Sequence, residues 1–151
     1  MKTLYLFTFL LFSSFSYSQL TARQLIKIKQ TNLVDIPELV KNYGYKISKS
    51  DNGQFEFIND KNIITDLSQI IISPENIKSE KAKMIFFSTF QDGYLKLFKI
   101  QILELGFKFL QNKDVLGQNN DVYQNDESEV IALSYDIQNK ITFVKYFTNN
   151  D

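Results

Sequence analysis

The chain contains no histidine and no cysteine, and its single arginine is Arg23. Without histidine it lacks the usual general base near neutral pH and the commonest metal ligand. Without cysteine it lacks thiolate nucleophiles and thiolate zinc sites, so neither a Ser–His–Asp nor a Cys–His catalytic arrangement can exist. Only carboxylate chemistry or an unusual Ser–Lys pair remains. We therefore predict a protein that is not an enzyme and that carries no cofactor and no metal.

Charge is balanced overall, because 17 basic residues face 17 acidic ones. This argues against a nucleic-acid partner, since such proteins are normally strongly basic. The balance is nevertheless uneven along the chain. Residues Asp114–Asp136, here called the acidic segment, contain six carboxylates and no lysine or arginine. This segment is either a solvated surface, the commoner case, or a patch that binds a basic protein partner. Its candidate partner-binding residues are Asp121, Tyr123, Asp126, Glu127 and Glu129.

Long hydrophobic runs are also absent, and the apolar stretch Leu4–Phe12 is far shorter than the ~20 residues of a membrane span. With Lys2 before it, and with Ser16 and Ser18 spaced like a signal-peptidase site, residues 1–18 have the pattern of a signal peptide. A membrane-anchoring helix and a buried helix are the alternatives. We expect cleavage near Ser18, which leaves one soluble domain (residues 19–151) in the periplasm or outside the cell, with no membrane span.

The first half of this domain begins with helical patterns. Thr21 and Gln24 fit a capping box, and a second helix is expected to have Asp35 as its N-cap and Pro37 in its first turn. Gly44 falls where a left-handed residue ends a helix. The residues "SDNG" then predict a tight hairpin. Residues Asp60–Lys81 are interpreted as a long connection with at most one short element, and "SPE" at Ser73–Glu75 looks like a helix start.

The second half of the domain has clearer strand and helix patterns. "KMIFFSTF" predicts a central strand, and "QDGYLKLFKIQILELG" predicts a helix with Asp92 as its cap and Gly106 at its end. Four strand patterns follow, with "QNK" linking the last two. This order predicts an α+β fold: a mainly antiparallel sheet with two or three helices packed on one face. "KNYGYKIS" and "LELGFKFL" lie 62 residues apart, which allows a degenerate α/β repeat.

Other ligand sites have weak support. The cluster "DVYQNDESEV" is more typical of a hydrophilic turn than of a carboxylate pair held across a sugar cleft. The oxygen-rich side chains of this stretch do not have the spacing of a calcium-binding loop. Serine and lysine occur together too often for their proximity to indicate catalysis. The strand aromatics are more typical of a core than of a binding platform. Four tyrosines at strand ends are candidates for an exposed binding face: Tyr45, Tyr123, Tyr135 and Tyr146.

Three features together suggest a resemblance: the leader that ends in Ser-Gln, the helix that closes on "KNYGY", and "FFSTF…YLKLFKIQILELGFKF" followed by "VIALSYDI…ITFVKYF". In these the chain resembles small exported proteins of the flavobacterial (Bacteroidota) type, which have no assigned activity. The resemblance implies export and a similar helix–glycine–strand layout, and it supplies no site residues. We expect a non-enzymatic module that acts through protein–protein contacts, for example an inhibitor or immunity-like protein. A small-ligand or glycan-binding module and, less favoured, a carboxylate-dependent hydrolase are the alternatives.

Overall fold

The computed structural model describes residues 19–59, 67–75, 80–115 and 117–148. The prediction of a signal peptide therefore lies outside the described residues, as does much of the Asp60–Lys81 connection. The helices are α1 (Ala22–Gln30), α2 (Ile36–Asn42) and α3 (Tyr94–Glu104), and a short 3-10 helix, Leu33–Asp35, precedes α2. The strands are β1 (Tyr45–Asp51), β2 (Gln54–Asn59), β3 (Ser68–Pro74), β4 (Ala82–Thr89), β5 (Lys108–Val115), β6 (Gln118–Gln124), β7 (Glu129–Asp136) and β8 (Ile141–Thr148).

All eight strands form one open sheet in the order β1-β2-β3-β4-β8-β7-β6-β5. Every neighbouring pair is antiparallel. The α+β class and the mainly antiparallel sheet are thus confirmed. Strands β4 and β8 lie at the centre, whereas β1 and β5 are the two edges. Among the described residues, none of the helices has the length and apolar character needed to cross a membrane.

The helix starts follow from local chemistry. The backbone N–H of Gln24 donates to Thr21 Oγ1 at 3.2 Å, and the backbone N–H of Thr21 donates to Gln24 Oε1 at 2.9 Å. These two bonds are the predicted capping box, which satisfies donors that a helix start leaves free. Asp35 occupies the N-cap position of α2, although its side chain makes no capping hydrogen bond, and Pro37 lies in the first turn.

The two glycine junctions are confirmed as structural. Gly44 and Gly106 both have φ +87°, a left-handed conformation that glycine adopts without a Cβ clash. Each N–H bonds a carbonyl three residues back, at 2.9 Å and 3.1 Å. The next residues, Tyr45 and Phe107, are only 1% and 2% exposed. Each edge strand then shows a register shift, between Ile47 and Lys49 in β1 and between Phe109 and Gln111 in β5.

Two sequence-based predictions are wrong. The helix start expected at Ser73–Glu75 is wrong, because Ser73 and Pro74 belong to β3. This seven-residue strand between β2 and β4 is the one element described within Asp60–Lys81. Its alternation was hidden by three consecutive isoleucines, a run that is also compatible with helix. The N-cap of α3 is Gly93, with φ +77°, and not Asp92.

Most buried apolar side chains form one cluster to which all three helices and seven of the strands contribute. The Tyr94 hydroxyl of α3 donates to the carbonyl of Leu20 at 2.6 Å, and the Ala22 N–H of α1 donates to Gln101 Oε1 at 2.8 Å. A second, smaller cluster contains Val122, Val130 and Ala132. These residues alternate with those of the main cluster along β6 and β7, so they lie on the opposite side of the sheet, here called the back face.

Candidate partner-binding surfaces

The structure separates two of the predicted partner-binding residues from the other three. Asp121 lies on β6, where its carboxylate accepts hydrogen bonds from Lys99 of α3 and, at 2.6 Å, from Asn112 Nδ2. Tyr123 is 6% exposed, and its ring packs edge-to-face on Phe109 with centroids 5.6 Å apart. Burial raises the pKa of the Tyr123 phenol. Tyr123 thus belongs to the core and does not reach the surface.

The remaining three, Asp126, Glu127 and Glu129, lie together at the β6–β7 turn. Asn125 organises this turn, because its Oδ1 accepts the backbone N–H groups of Glu127 and Glu129 at 3.0 and 2.9 Å. Asp126 Oδ1 accepts a hydrogen bond from Lys108 Nζ at 2.9 Å, and Glu129 Oε2 accepts one from Asn125 Nδ2 at 3.1 Å. Lysines from outside the acidic segment thus offset its charge. Whether the turn binds a basic partner stays a prediction.

The predicted tyrosine face is wrong for three of its four members. Tyr45 and Tyr146 are 1% and 0% exposed, Tyr123 is also buried, and only Tyr135 is open, at 41%. The Tyr45 hydroxyl hydrogen-bonds Ser68 Oγ at 2.8 Å, and burial raises the pKa of this phenol to about 12. Burial, and the nearby Glu129 carboxylate, raise the pKa of Tyr146. Strand alternation turns these rings inward, because each shares its side of the strand with apolar core residues.

The oxygen-bearing side chains considered for calcium belong to Asn119, Asn120, Asp121, Asn125 and Asp126, and the sheet separates two of them. Asn120 and Asp121 are adjacent in β6, so their side chains lie on opposite sides of the sheet. Asp121 faces Lys99, whereas Asn120 accepts a hydrogen bond from Lys145 Nζ at 3.3 Å. A cation would thus meet ammonium groups on either side, which disfavours binding.

A groove that the sequence did not predict lies between α2 and the edge strand β1. Its volume is about 450 Å³. The groove, here called the edge groove, is lined by Pro37, Glu38, Lys41, Gly44, Tyr45, Lys46 and Ile47. Ile47 is 50% exposed, and it pairs with buried Phe57 across the strands, so it lies on the helix side of β1. An apolar wall thus borders a strand whose outer backbone groups have no partner strand.

The other edge strand, β5, is exposed over Lys108–Asp114. Phe109 and Leu110 are 54% and 55% exposed, which is unusual for large apolar side chains on a strand. Both edges also carry lysines and a bulge, features that discourage uncontrolled pairing between sheets. Both edges are therefore accessible, and their lysines and bulges disfavour aggregation through edge-to-edge pairing.

On the back face a fully buried lysine holds the β5–β6 hairpin. Lys145 is 1% exposed, and its Nζ donates to Val115 O at 2.7 Å, Gln118 Oε1 at 3.0 Å and Asn120 Oδ1 at 3.3 Å. Its cross-strand neighbour Ala132 is small, which leaves space for the long side chain. Burial lowers the pKa of Lys145. Three neutral acceptors thus match the three donors of one ammonium group.

Beside this lysine lies a back-face cleft of about 240 Å³, whose apolar walls include Leu110, Val115, Val122, Val130 and Phe147. The cleft left no clear trace in the sequence, because it combines residues that are distant along the chain. The residues of the edge groove come from the single stretch Pro37–Ile47, but the groove itself depends on how α2 lies against β1. Lys145 in "ITFVKYF" was the one available signal, since it sits on a strand where an apolar residue is usual. Comparison of the chain with protein-family models, with curated proteins and with solved structures finds no match.

Proposed function

We propose that this protein is a binding module that acts through protein contacts, and that an extended segment of a partner protein docks beside β1. The observation that carries the proposal is the position of the edge groove directly next to an open edge strand. An edge strand presents N–H and C=O groups that an added strand can pair with, and a neighbouring pocket then selects a side chain. The groove supplies that pocket.

The chemistry of the groove defines the segment. Pro37 and the half-exposed Ile47 supply apolar contacts. The polar rim consists of Glu38 and Lys41, whose charged atoms are 3.7 Å apart and whose side chains are largely exposed. Such a pair contributes little to stability, so it can rearrange around a ligand at small cost. We infer a segment in extended conformation with one bulky apolar side chain pointing into the groove.

Two matched variants test the proposal. Ile47→Asp puts a charge into the groove, whereas Ile58→Asp puts the same charge on β2, where Ile58 is 44% exposed. Ile58 pairs with Lys46 and therefore lies on the opposite side of the sheet. A displayed random-peptide library selected on the unaltered protein should yield peptides that lose binding to the Ile47→Asp variant and keep it with Ile58→Asp. No enrichment, or equal binding to all three proteins, would contradict the proposal.

A third variant separates the groove from the acidic turn. Changing Asp126, Glu127 and Glu129 together to lysine should leave the selected peptides bound, because the turn lies at the other half of the sheet. Loss of binding in this variant alone would instead favour the acidic turn as the contact surface for a basic partner.

We further propose that the module is exported and that it serves as an inhibitor or immunity-like protein. Support for export comes from the pattern of residues 1–18 in the sequence. The test is the mass of the protein recovered outside the cytoplasm, which should correspond to a chain that begins at Gln19. Recovery of the uncleaved chain in the cytoplasm would refute export.

A small-ligand module is the second candidate, and the back-face cleft favours it. Its apolar walls and its volume of about 240 Å³ suit a short hydrocarbon chain. Hydrocarbon ligands should then raise the melting temperature, and Val122→Asp should remove that effect. If no such ligand shifts the transition, this candidate fails.

We also infer that the chain consists of two degenerate copies of a helix–four-strand unit, with the helices of both copies on one side of the sheet. The strand order supports this, because β1 to β4 run from one edge to the centre of the sheet and β5 to β8 run from the other edge to the centre. Residues before the junction glycines have nearly equal backbone angles, −91°/5° at Tyr43 and −90°/9° at Leu105. The register shifts of the two edge strands also lie 62 residues apart.

A further inference from the structure

Helix α3 exposes an apolar stripe to solvent. Leu97, Ile100 and Leu103 are 53%, 47% and 52% exposed. They are three residues apart, so they form one ridge along the helix. The only other exposed residues of α3 are Lys96 and Glu104, which are four residues to either side of Ile100. A stripe of this kind on a helix is unusual for a surface that faces water alone.

These five residues are arranged symmetrically about Ile100, with a leucine three residues to either side and opposite charges four residues to either side. Rotating α3 by a two-fold axis through Ile100 superposes Leu97 on Leu103 and Lys96 on Glu104. In an antiparallel pair of such helices each leucine meets a leucine, and each lysine meets a glutamate. Neither Lys96 nor Glu104 makes an ion pair with any residue of the described ranges. The surface is therefore complementary to itself.

We propose that the protein forms a symmetric homodimer in which the α3 helices of two copies pack antiparallel across a two-fold axis at Ile100. Self-complementarity is what such an interface requires, since the same patch serves both subunits. A different partner protein would not require this symmetric placement of opposite charges. The charge arrangement therefore favours a second copy of the chain as the partner. The neighbouring Lys99 is directed to Asp121 of its own chain, which leaves the stripe free of a further charge. This proposal is independent of the edge groove, which lies on the opposite edge of the sheet.

Charge reversal gives the first test, with sedimentation equilibrium as the measurement. Lys96→Glu and Glu104→Lys each turn two attractive pairs into two repulsive ones, so each should weaken the dimer roughly tenfold. The double variant Lys96→Glu/Glu104→Lys restores opposite charges across the axis and should return to the original dissociation constant. Only the antiparallel arrangement predicts this rescue. A double variant as weak as the singles would overturn the proposal, as would a monomeric unaltered protein.

The absence of cysteine from the chain permits a second, geometric test. Helices packed ~8 Å apart bring facing Cα atoms to within roughly 4–6 Å, a distance that suits a disulfide. Ile100→Cys, on the axis, should therefore crosslink two chains quickly under mild oxidation. Ile137→Cys is the control, because Ile137 is 81% exposed and belongs to the β7–β8 turn instead of the α3 stripe. Equal, slow crosslinking of both variants would contradict the two-fold contact. Ile100→Glu should give a folded monomer, which keeps peptide binding at the edge groove measurable separately.

Discussion

Replacing Lys145 by methionine should destabilise the protein, even though it removes a buried charge. Replacing a buried ionic group by an apolar one of similar volume is often neutral or stabilising. The outcome here depends on what happens to the three acceptors that surround Lys145 Nζ. Methionine is unbranched like lysine and one heavy atom shorter, so the packing around the aliphatic stem changes little.

The hydrogen bonds decide the magnitude. Gln118 Oε1 keeps a donor, because Ser134 Oγ donates to it at 3.1 Å. Val115 O keeps a long bond from Asn120 Nδ2 at 3.4 Å. Asn120 Oδ1 loses its partner, and Asn120 is 1% exposed, so water does not replace the lysine. An orphaned buried acceptor costs ~1–3 kcal/mol, and the lost bonds from a charged donor add to this. Relief of the desolvated ammonium offsets part of the loss, which leaves a net of about 2 kcal/mol.

Urea unfolding and the thermal midpoint measure this loss. Since 1 kcal/mol corresponds to roughly 4 °C for a domain of this size, the midpoint of Lys145→Met should fall by about 8 °C. Amide hydrogen exchange should accelerate mainly in the β5–β6 hairpin, which Lys145 fastens to β8. In Lys145→Met/Asn120→Leu the orphaned oxygen is gone, but so is the Asn120 Nδ2 donor to Val115 O. The double variant should therefore recover only part of the stability that the single variant loses. An unchanged or raised midpoint in Lys145→Met would refute the reasoning.

Three further predictions concern the two junction glycines and two buried tyrosines. Gly44→Ala and Gly106→Ala should each lower the free energy of unfolding by about 1–2 kcal/mol, measured in urea. Both glycines have φ +87°, and an added Cβ meets no atom within 4 Å at either site, so backbone strain is the expected cause. Unequal losses would show that another effect contributes. Burial raises the pKa of Tyr45 to about 12, so the folded state holds this proton more tightly than the unfolded chain does, and Tyr45 should contribute a fall in stability of about 2 kcal/mol from pH 10 to 12. Tyr45→Phe should make the fall shallower by that amount, and an unchanged slope would contradict the assignment. Tyr146→Phe should leave the melting temperature nearly unchanged, because the buried Tyr146 hydroxyl makes no hydrogen bond of ordinary geometry among the described residues, although the Glu129 carboxylate is nearby. A loss of more than ~1 kcal/mol would indicate that this hydroxyl donates to Glu129.

Local signals in the sequence were sufficient for much of the fold. The capping box at Thr21 and Gln24 and the turn at Asn52 and Gly53 depend on residues close together in the chain, and both form as predicted. The junction glycine Gly44 does so as well. Such features need no knowledge of the tertiary structure, because a cap or a positive φ is determined by a few neighbouring residues.

What the sequence did not predict depends on which strands become neighbours. Ile70–Ile72 reads equally as strand or helix until β2 and β4 provide its hydrogen bonds. The acidic segment looks like a strongly charged patch only along the chain. In the sheet, Asp121 meets Lys99 and Asp126 meets Lys108. Pairing across elements therefore offsets part of the negative charge that the linear pattern had suggested.

The two edges of the sheet differ in a way that the proposed duplication makes interpretable. With the 62-residue offset, the groove residues Glu38 and Lys41 of α2 correspond to Ile100 and Leu103 of α3. Equivalent places next to an edge strand thus carry a charged pair in one half and exposed apolar residues in the other. A polar rim suits a ligand that binds reversibly, because the exposed charges of the rim stay hydrated when no ligand is bound. Apolar residues in the same place are costly in water, so they favour a surface that stays covered. We infer that the first half keeps the partner-binding edge, and that the second half has become the surface between two copies of the chain.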